Sequence, residues 1–224
     1  MSYRNKNNEI EDSFNAYLVE GAEFTTIEEY PIIKKENVSS KPPIKIIPFH
    51  IAINYKGNLK DCYICFYEKD VFFKRILKSP KKYIKFFKRT AGIIGFDYSI
   101  HTDMPFIKQK KFIDDNLTLT YYYSNLGIKC IPNIRYGNDE TIDEFFEAIP
   151  KNSLLAIGTH GFCKTIVQKA ELFCAIETII EKLNPTGIIV VGPLNKEIIK
   201  NFSNKCKFYV YKSWMEENRS KIYE

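Results

Sequence analysis

Residues 92–105 read GIIGFDYSIHTDMP. The first five carry no polar side chain, and then Asp97, Ser99, His101 and Asp103 arrive at alternate positions. A short apolar stretch of this kind is what a strand looks like when both its faces are covered, as in a parallel sheet. Polar residues that follow at once fall at the carboxyl end of that strand. The pattern recurs in both directions: residues 45–49, 62–67, 128–131, 154–157, 188–191 and 207–211 are comparable runs, several nearly continuous in Ile, Val or Leu. Between them lie longer mixed segments with helical signals. Ser79 before Pro80 opens a predicted helix over residues 80–89, residues 141–148 form a short acidic one, and residues 165–183 carry apolar residues at helical spacing and stop before Pro185. Strands alternating with crossover helices define an α/β fold with a mostly parallel sheet, either open and doubly wound or curled into a partial barrel.

The totals bound the rest. A chain of 224 residues, 45% apolar and 27% charged, has the composition of a packed globular protein and enough length for one sizeable core. Residues 1–13 are polar and expected to be a disordered tail. Residues 14–45, interrupted by Pro31, Pro42 and Pro43, form an irregular lead-in to a single domain that runs from 14 to 224. No apolar run approaches the roughly 18 to 20 residues of a membrane helix, and no secretion signal is evident, so a cytoplasmic protein with free thiols is expected. Of the six cysteines, Cys62 and Cys65 have the spacing of half a zinc or redox site. In a strand, residues three apart point to opposite faces, so these two thiols are expected to be core residues and no metal site is predicted. Neither a Walker-type phosphate loop nor a dinucleotide glycine fingerprint is present, and no cofactor is identified.

In a parallel α/β sheet the loops at the carboxyl ends of the strands are gathered on one rim, and a site is expected there. Asp97, Ser99, His101 and Asp103 follow one run, Asn133 and Arg135 another, and Gly158, Thr159, His160 and Gly161 a third. Glu68 and Asp70 follow residues 62–67, and Gly192 with Pro193 follows residues 188–191. Turn chemistry alone would account for Asp97 and Ser99, but it does not select two histidines and an arginine. The candidate catalytic residues are Asp97, His101, Asp103 and His160. The histidines would act as acid, base or ligand, and the carboxylates would orient them or hold a metal. Ser99, Asn133, Arg135, Gly158 and Gly161 are candidate binding residues, with Arg135 as an anion clamp.

The net charge of +6 favours acidic partners. It is concentrated in residues 71–89, where Lys74, Arg75, Lys78, Lys81, Lys82, Lys85, Lys88 and Arg89 interleave with Phe72, Phe73, Tyr83, Phe86 and Phe87, and no acid intervenes. Such a surface could follow a phosphate backbone, with Lys81, Lys82, Lys85 and Lys88 as contacts. It could equally be a solvated amphipathic face whose aromatics are buried. Lys108, Lys110 and Lys111 make a second, smaller cluster. The 17 Phe and 15 Tyr fit a low-GC codon bias as well as a stacking role.

Residues 97–105 (DYSIHTDMP), together with 127–133 (GIKCIPN) and 154–161 (LLAIGTHG), resemble an uncharacterised family, a domain of unknown function carried by phages and plasmids of low-GC Gram-positive bacteria. The similarity runs over about residues 67–191 and includes the lead-in Gly21-Ala-Glu. The family's motif positions fall here on Asp97, Ser99, Asp103, Pro105, Pro132, Asn133, Gly158 and Gly161. Where the family tends to carry arginines after the Met-Pro pair, this chain has Asp115, Asn116 and Leu117, and Tyr136 replaces a usual tryptophan. The resemblance implies a genomic setting and no reaction. The function expected is that of a phage or plasmid accessory protein acting in replication, copy-number control or maintenance, touching DNA or the replication machinery. A small metal- or nucleotide-dependent enzyme using the strand-end rim is the alternative, and an inhibitor of a host factor a third.

Overall fold

Side chains along each apolar run alternate between two cores, and that alternation sets the shape of the sheet. In a computed structural model of the protein, which describes residues 12, 15–160, 165–214 and 216–217, every expected run contains a strand. These are β1 (Lys45–Pro48), β2 (Cys62–Cys65), β3 (Gly92–Ile94), β4 (Cys130–Ile131), β5 (Leu154–Gly158), β6 (Gly187–Val191) and β7 (Phe208–Tyr211). Apart from Asp12, the expected N-terminal tail lies outside the described residues, as do Gly161 and Cys163.

All pairings between these strands are parallel, in the orders β1-β2-β3-β4 and β5-β6-β7. The two sheets meet at one parallel bridge between Asn133 and Ala156. There the Ala156 amide donates to Pro132 O (2.9 Å) and the Ile134 amide to Ala156 O (2.8 Å). Strand order therefore follows chain order with no reversal, which leaves no switch point of the doubly wound kind. At the far margin, Tyr211 Oη donates to Pro43 O at 2.6 Å, so β7 comes round to the entry of β1. The sheet is curled, as in a partial barrel.

Its inner core draws on every strand: Ile46, Tyr63, Cys65, Ile94, Ile131, Leu154, Ala156, Ile189, Val191, Tyr209 and Tyr211 pack together. Their neighbours Ile47, Ile64, Ile93, Cys130, Leu155, Ile188 and Val190 belong to the outer core beneath the helices. Cys62 lies in the outer core and Cys65 in the inner one, so the two thiols face opposite sides of the sheet, and burial pushes the Cys65 thiol up to about 12.

The connections are α1 (Phe49–Ala52), α2 (Arg75–Lys78), α3 (Ile84–Phe87), α4 (Phe106–Asn125), α5 (Ile142–Glu147), α6 (Ile166–Leu183) and α7 (Lys196–Phe202). The expectation at 165–183 is met by α6, where Thr165 Oγ1 accepts from the Gln168 amide (3.1 Å) and Gln168 Oε1 from the Thr165 amide (3.2 Å), a reciprocal capping box. The helix expected over 80–89 is corrected: residues Pro80–Tyr83 form a 3-10 turn, α3 adds a single α-helical turn, and Ser79 makes no side-chain cap bond. Packing sets this shape. Tyr83, Phe86 and Phe87 all turn onto the Phe49 ring, with centroids 5.7, 5.9 and 6.1 Å away.

Phe66 is the hub of the outer core. It is fully buried and stacks on Phe96 at 4.0 Å, with Phe73 at 5.3 Å and Phe49 at 5.9 Å. Phe66→Ala is expected to lower unfolding stability by about 3–5 kcal/mol in denaturant titration, because the aromatic cluster around it is too interlocked to collapse into the space.

Candidate functional site

Three adjacent strand ends deliver one polar network. β2 leads into Tyr67 and Glu68, β3 into Asp97, and β4 into Asn133 and Arg135. The Asn133 amide joins them: Oδ1 accepts from Tyr67 Oη (2.9 Å), while Nδ2 donates to Asp97 Oδ1 (2.8 Å) and to Phe96 O (3.1 Å). Arg135 Nε lies 3.8 Å from the same Asp97 oxygen, and its Nη2 donates to Ile100 O at 3.3 Å. The Asp97 side chain is only 15% exposed. Burial pushes its carboxyl up from the usual range, against the opposing pull of the Arg135 guanidinium and the Asn133 amide. The Tyr67 hydroxyl is raised well above its ordinary value, by burial first and the Asp97 charge second.

Two glycines make the close approach feasible. A Cβ on Gly158 would sit 2.5 Å from the Tyr67 ring, and one on Gly95 would sit 2.9 Å from the backbone nitrogen of Asn133. The Tyr67 ring therefore packs directly against Gly158 at the carboxyl end of β5.

Helix α4 fixes the loop that carries Asp97. Thr120 Oγ1 accepts from the Phe96 amide (3.2 Å), and Asn116 Oδ1 accepts from the Tyr98 amide (2.7 Å). Gln109 Nε2 donates to Met104 O (2.9 Å) and Thr102 O (3.3 Å). At the three positions where this chain departs from the resemblance, Asp115 pairs with Lys111, Asn116 holds the loop and Leu117 packs in the core. This helix face therefore serves the loop.

The other candidates are placed as follows. Ser99 donates through Oγ to Asp70 Oδ1 (2.9 Å), and its amide reaches both Asp70 oxygens (3.3 and 3.2 Å). His101, Asp103 and His160 follow their strands at the carboxyl end but are exposed, and His101 O accepts from the Met104 amide (3.1 Å) in a turn. Gly158 lies beneath Tyr67. Among the described residues, no three His, Cys, Asp or Glu side chains are placed to hold one metal ion. A cavity of about 860 Å³ opens at the opposite end, before β5, between acids and bases such as Glu36, Asp143, Lys151 and Lys182.

A second cluster was not singled out from the sequence. His50, the first residue after the run 45–49, bonds through Nδ1 to Glu68 Oε2, and its amide donates to Glu68 Oε1 and Oε2 (3.2 and 3.3 Å). The strand-end rule that selected Asp97 also points to His50. Glu68 is 4% exposed, and burial raises its carboxyl pKa while His50 and Arg75 oppose the rise. Tyr67 was missed because it reads as the last apolar residue of its strand.

Sequence comparison now places the chain. It belongs to the family described as Domain of unknown function (DUF4417), whose model matches residues 22–211. It is 24% identical over 129 residues to the Gene 1 protein of Mycobacterium phage L5, covering 58% of this chain and 56% of that protein. The chain thus spans about half the length of that relative. No solved structure matches it.

Asp97→Asn tests the electrostatics of the network. A carboxyl whose pKa is raised by folding stabilises the folded state fully below its unfolded value, and that contribution is lost as pH rises through the folded value. Relative to wild type, the variant is therefore expected to gain stability as pH rises above 3.8, the ordinary value for aspartate. Urea midpoints of both proteins across this range check it; a pH-independent difference would contradict the assignment.

Proposed function

We propose that the protein is an accessory factor of a phage or plasmid that contacts nucleic acid through the surface of residues 74–89, in replication, copy-number control or maintenance of the element. The observation that carries this reading is that Lys74, Arg75, Lys78, Lys81, Lys82, Lys85, Lys88 and Arg89 are all exposed and none takes part in an ion pair among the described residues. The aromatics and Ile76 between them supply the packing, with Phe73, Ile76 and Phe87 fully buried. The smaller basic cluster differs: Lys110 is paired with Glu28 and Lys111 with Asp114 and Asp115.

An array of like charges with so few acidic neighbours costs the folded state stability through self-repulsion, and a polyanion lying on it relieves that cost. The barrel mouth supports an enzymatic reading less well. Asn133 there uses its amide on Tyr67, Asp97 and Phe96, and Asp97 is nearly closed off from solvent. Membership of a family with a phage relative supports the setting, and the Lys-, Ile- and Phe-rich composition fits a low-GC host.

Binding is expected to fall steeply with salt, because each neutralised phosphate releases counterions. Replacing Lys81, Lys82, Lys85 and Lys88 together by alanine is expected to weaken duplex or single-strand binding and to reduce the slope of log K against log salt by about 3 to 4. Fluorescence anisotropy across a salt series measures both; affinity that ignores salt, or no binding by the wild type, would overturn the reading.

A further inference from the structure

We infer that the nucleic acid is taken as a single strand, with a base stacked on a platform formed by Phe72 and His50 where the basic surface meets the barrel mouth. This rests on the proposed contact through residues 74–89 and adds the class of strand.

Neighbouring phenylalanines have opposite fates here. Phe73 is fully buried, whereas Phe72, closing the 3-10 turn Asp70–Phe72, is 40% exposed. A single exposed aromatic means little by itself. Phe72, however, lies against the His50 ring, centroids 4.7 Å apart and planes 21° from parallel, which makes a two-layer stack. The lower layer is fixed. Glu68, nearly buried, accepts from the His50 amide and bonds its Nδ1, so the imidazole is held at both backbone and ring. A platform whose orientation is set before binding spends little entropy when a ligand arrives.

The charge around it suits a phosphate chain. Val71 beside it is 56% exposed, and from Val71 to Arg89 every charged residue is a cation, beginning with Lys74 and Arg75. The Arg75 guanidinium lies 5.6 Å over the Phe49 ring, next to His50 in the chain. The two acids nearest in sequence before Phe72 are both turned to protein partners, Glu68 to His50 and Asp70 to the Ser99 amide and hydroxyl. A duplex hides the faces of its bases, whereas a single strand offers them. An aromatic surface bordering a basic track is the physical basis of sequence-tolerant single-strand binding.

The test titrates the full chain against labelled oligothymidylate, oligouridylate and a duplex of the same length. At least one single strand is expected to bind more tightly than the duplex. Phe72→Ala is expected to weaken that strand about tenfold, the effect of losing one stacked base, with duplex affinity unchanged and Phe72→Trp restoring binding. The exposure of Phe72 lets the variant fold, which a thermal melt matching wild type checks. Equal binding of strand and duplex, or a Phe72→Ala protein that binds the single strand as wild type does while the four-lysine variant does not, would overturn the platform and leave the basic contact standing. Absence of binding to all three probes would remove both.

Discussion

The structure turns on Asn133. Its flanking backbone groups, Pro132 O and the Ile134 amide, make the two hydrogen bonds to Ala156 that join a four-stranded and a three-stranded sheet. Its side chain ties together the ends of β2 and β3 through Tyr67, Asp97 and Phe96. One residue therefore both extends the sheet and braces its carboxyl rim. A buried amide with three of its hydrogen bonds met is rigid, and leaving its partners unmet would cost about 1–3 kcal/mol for each.

Curling follows from filling the interior. Tyr63 lies over Gly92, Tyr67 over Gly158 and Tyr209 over Gly187, each ring occupying the space that a Cβ on the facing glycine would need. Large rings set against missing side chains let the two joined sheets curl around a filled interior. The outer face is stacked with phenylalanine in turn, and the short irregular helices after β2 exist to seat Phe73, Tyr83 and Phe87. Their outward residues are then free to carry charge. The basic surface and the barrel mouth are thus neighbours by construction, since both grow from the segment that leaves β2.

Much of this was legible in the sequence, because strands covered on both faces read as apolar runs. The ends were less so. Residues 95–96 look like more of β3, and the Gly95 amide still donates to Ile131 O in β4 (2.9 Å), but the Phe96 amide turns to Thr120 Oγ1, 24 residues away. Helix α4 entered the reading only through the family resemblance, since buried Gln109, Asn116 and Thr120 interrupt its apolar face, and only the loop they hold explains them. Asp97, Asn133 and Arg135 converge as their strand-end positions indicated. His101, Asp103 and His160 satisfy the same positional rule yet are exposed and make none of the network's hydrogen bonds, because position along the chain fixes which end of a sheet a residue occupies and not what its side chain touches. His50 obeyed the rule and was overlooked; Tyr67 was hidden by its apolar ring.

Amide hydrogen exchange at the seam reports whether the two sheets open together. If the two sheets are one curled structure, the Ile134 and Ala156 amides should exchange only through global unfolding, as slowly as Ile64 in β2 and Ile189 in β6. Fast exchange at those two amides, with both flanking sheets still protected, would show two independent sheets and undo the shared rim.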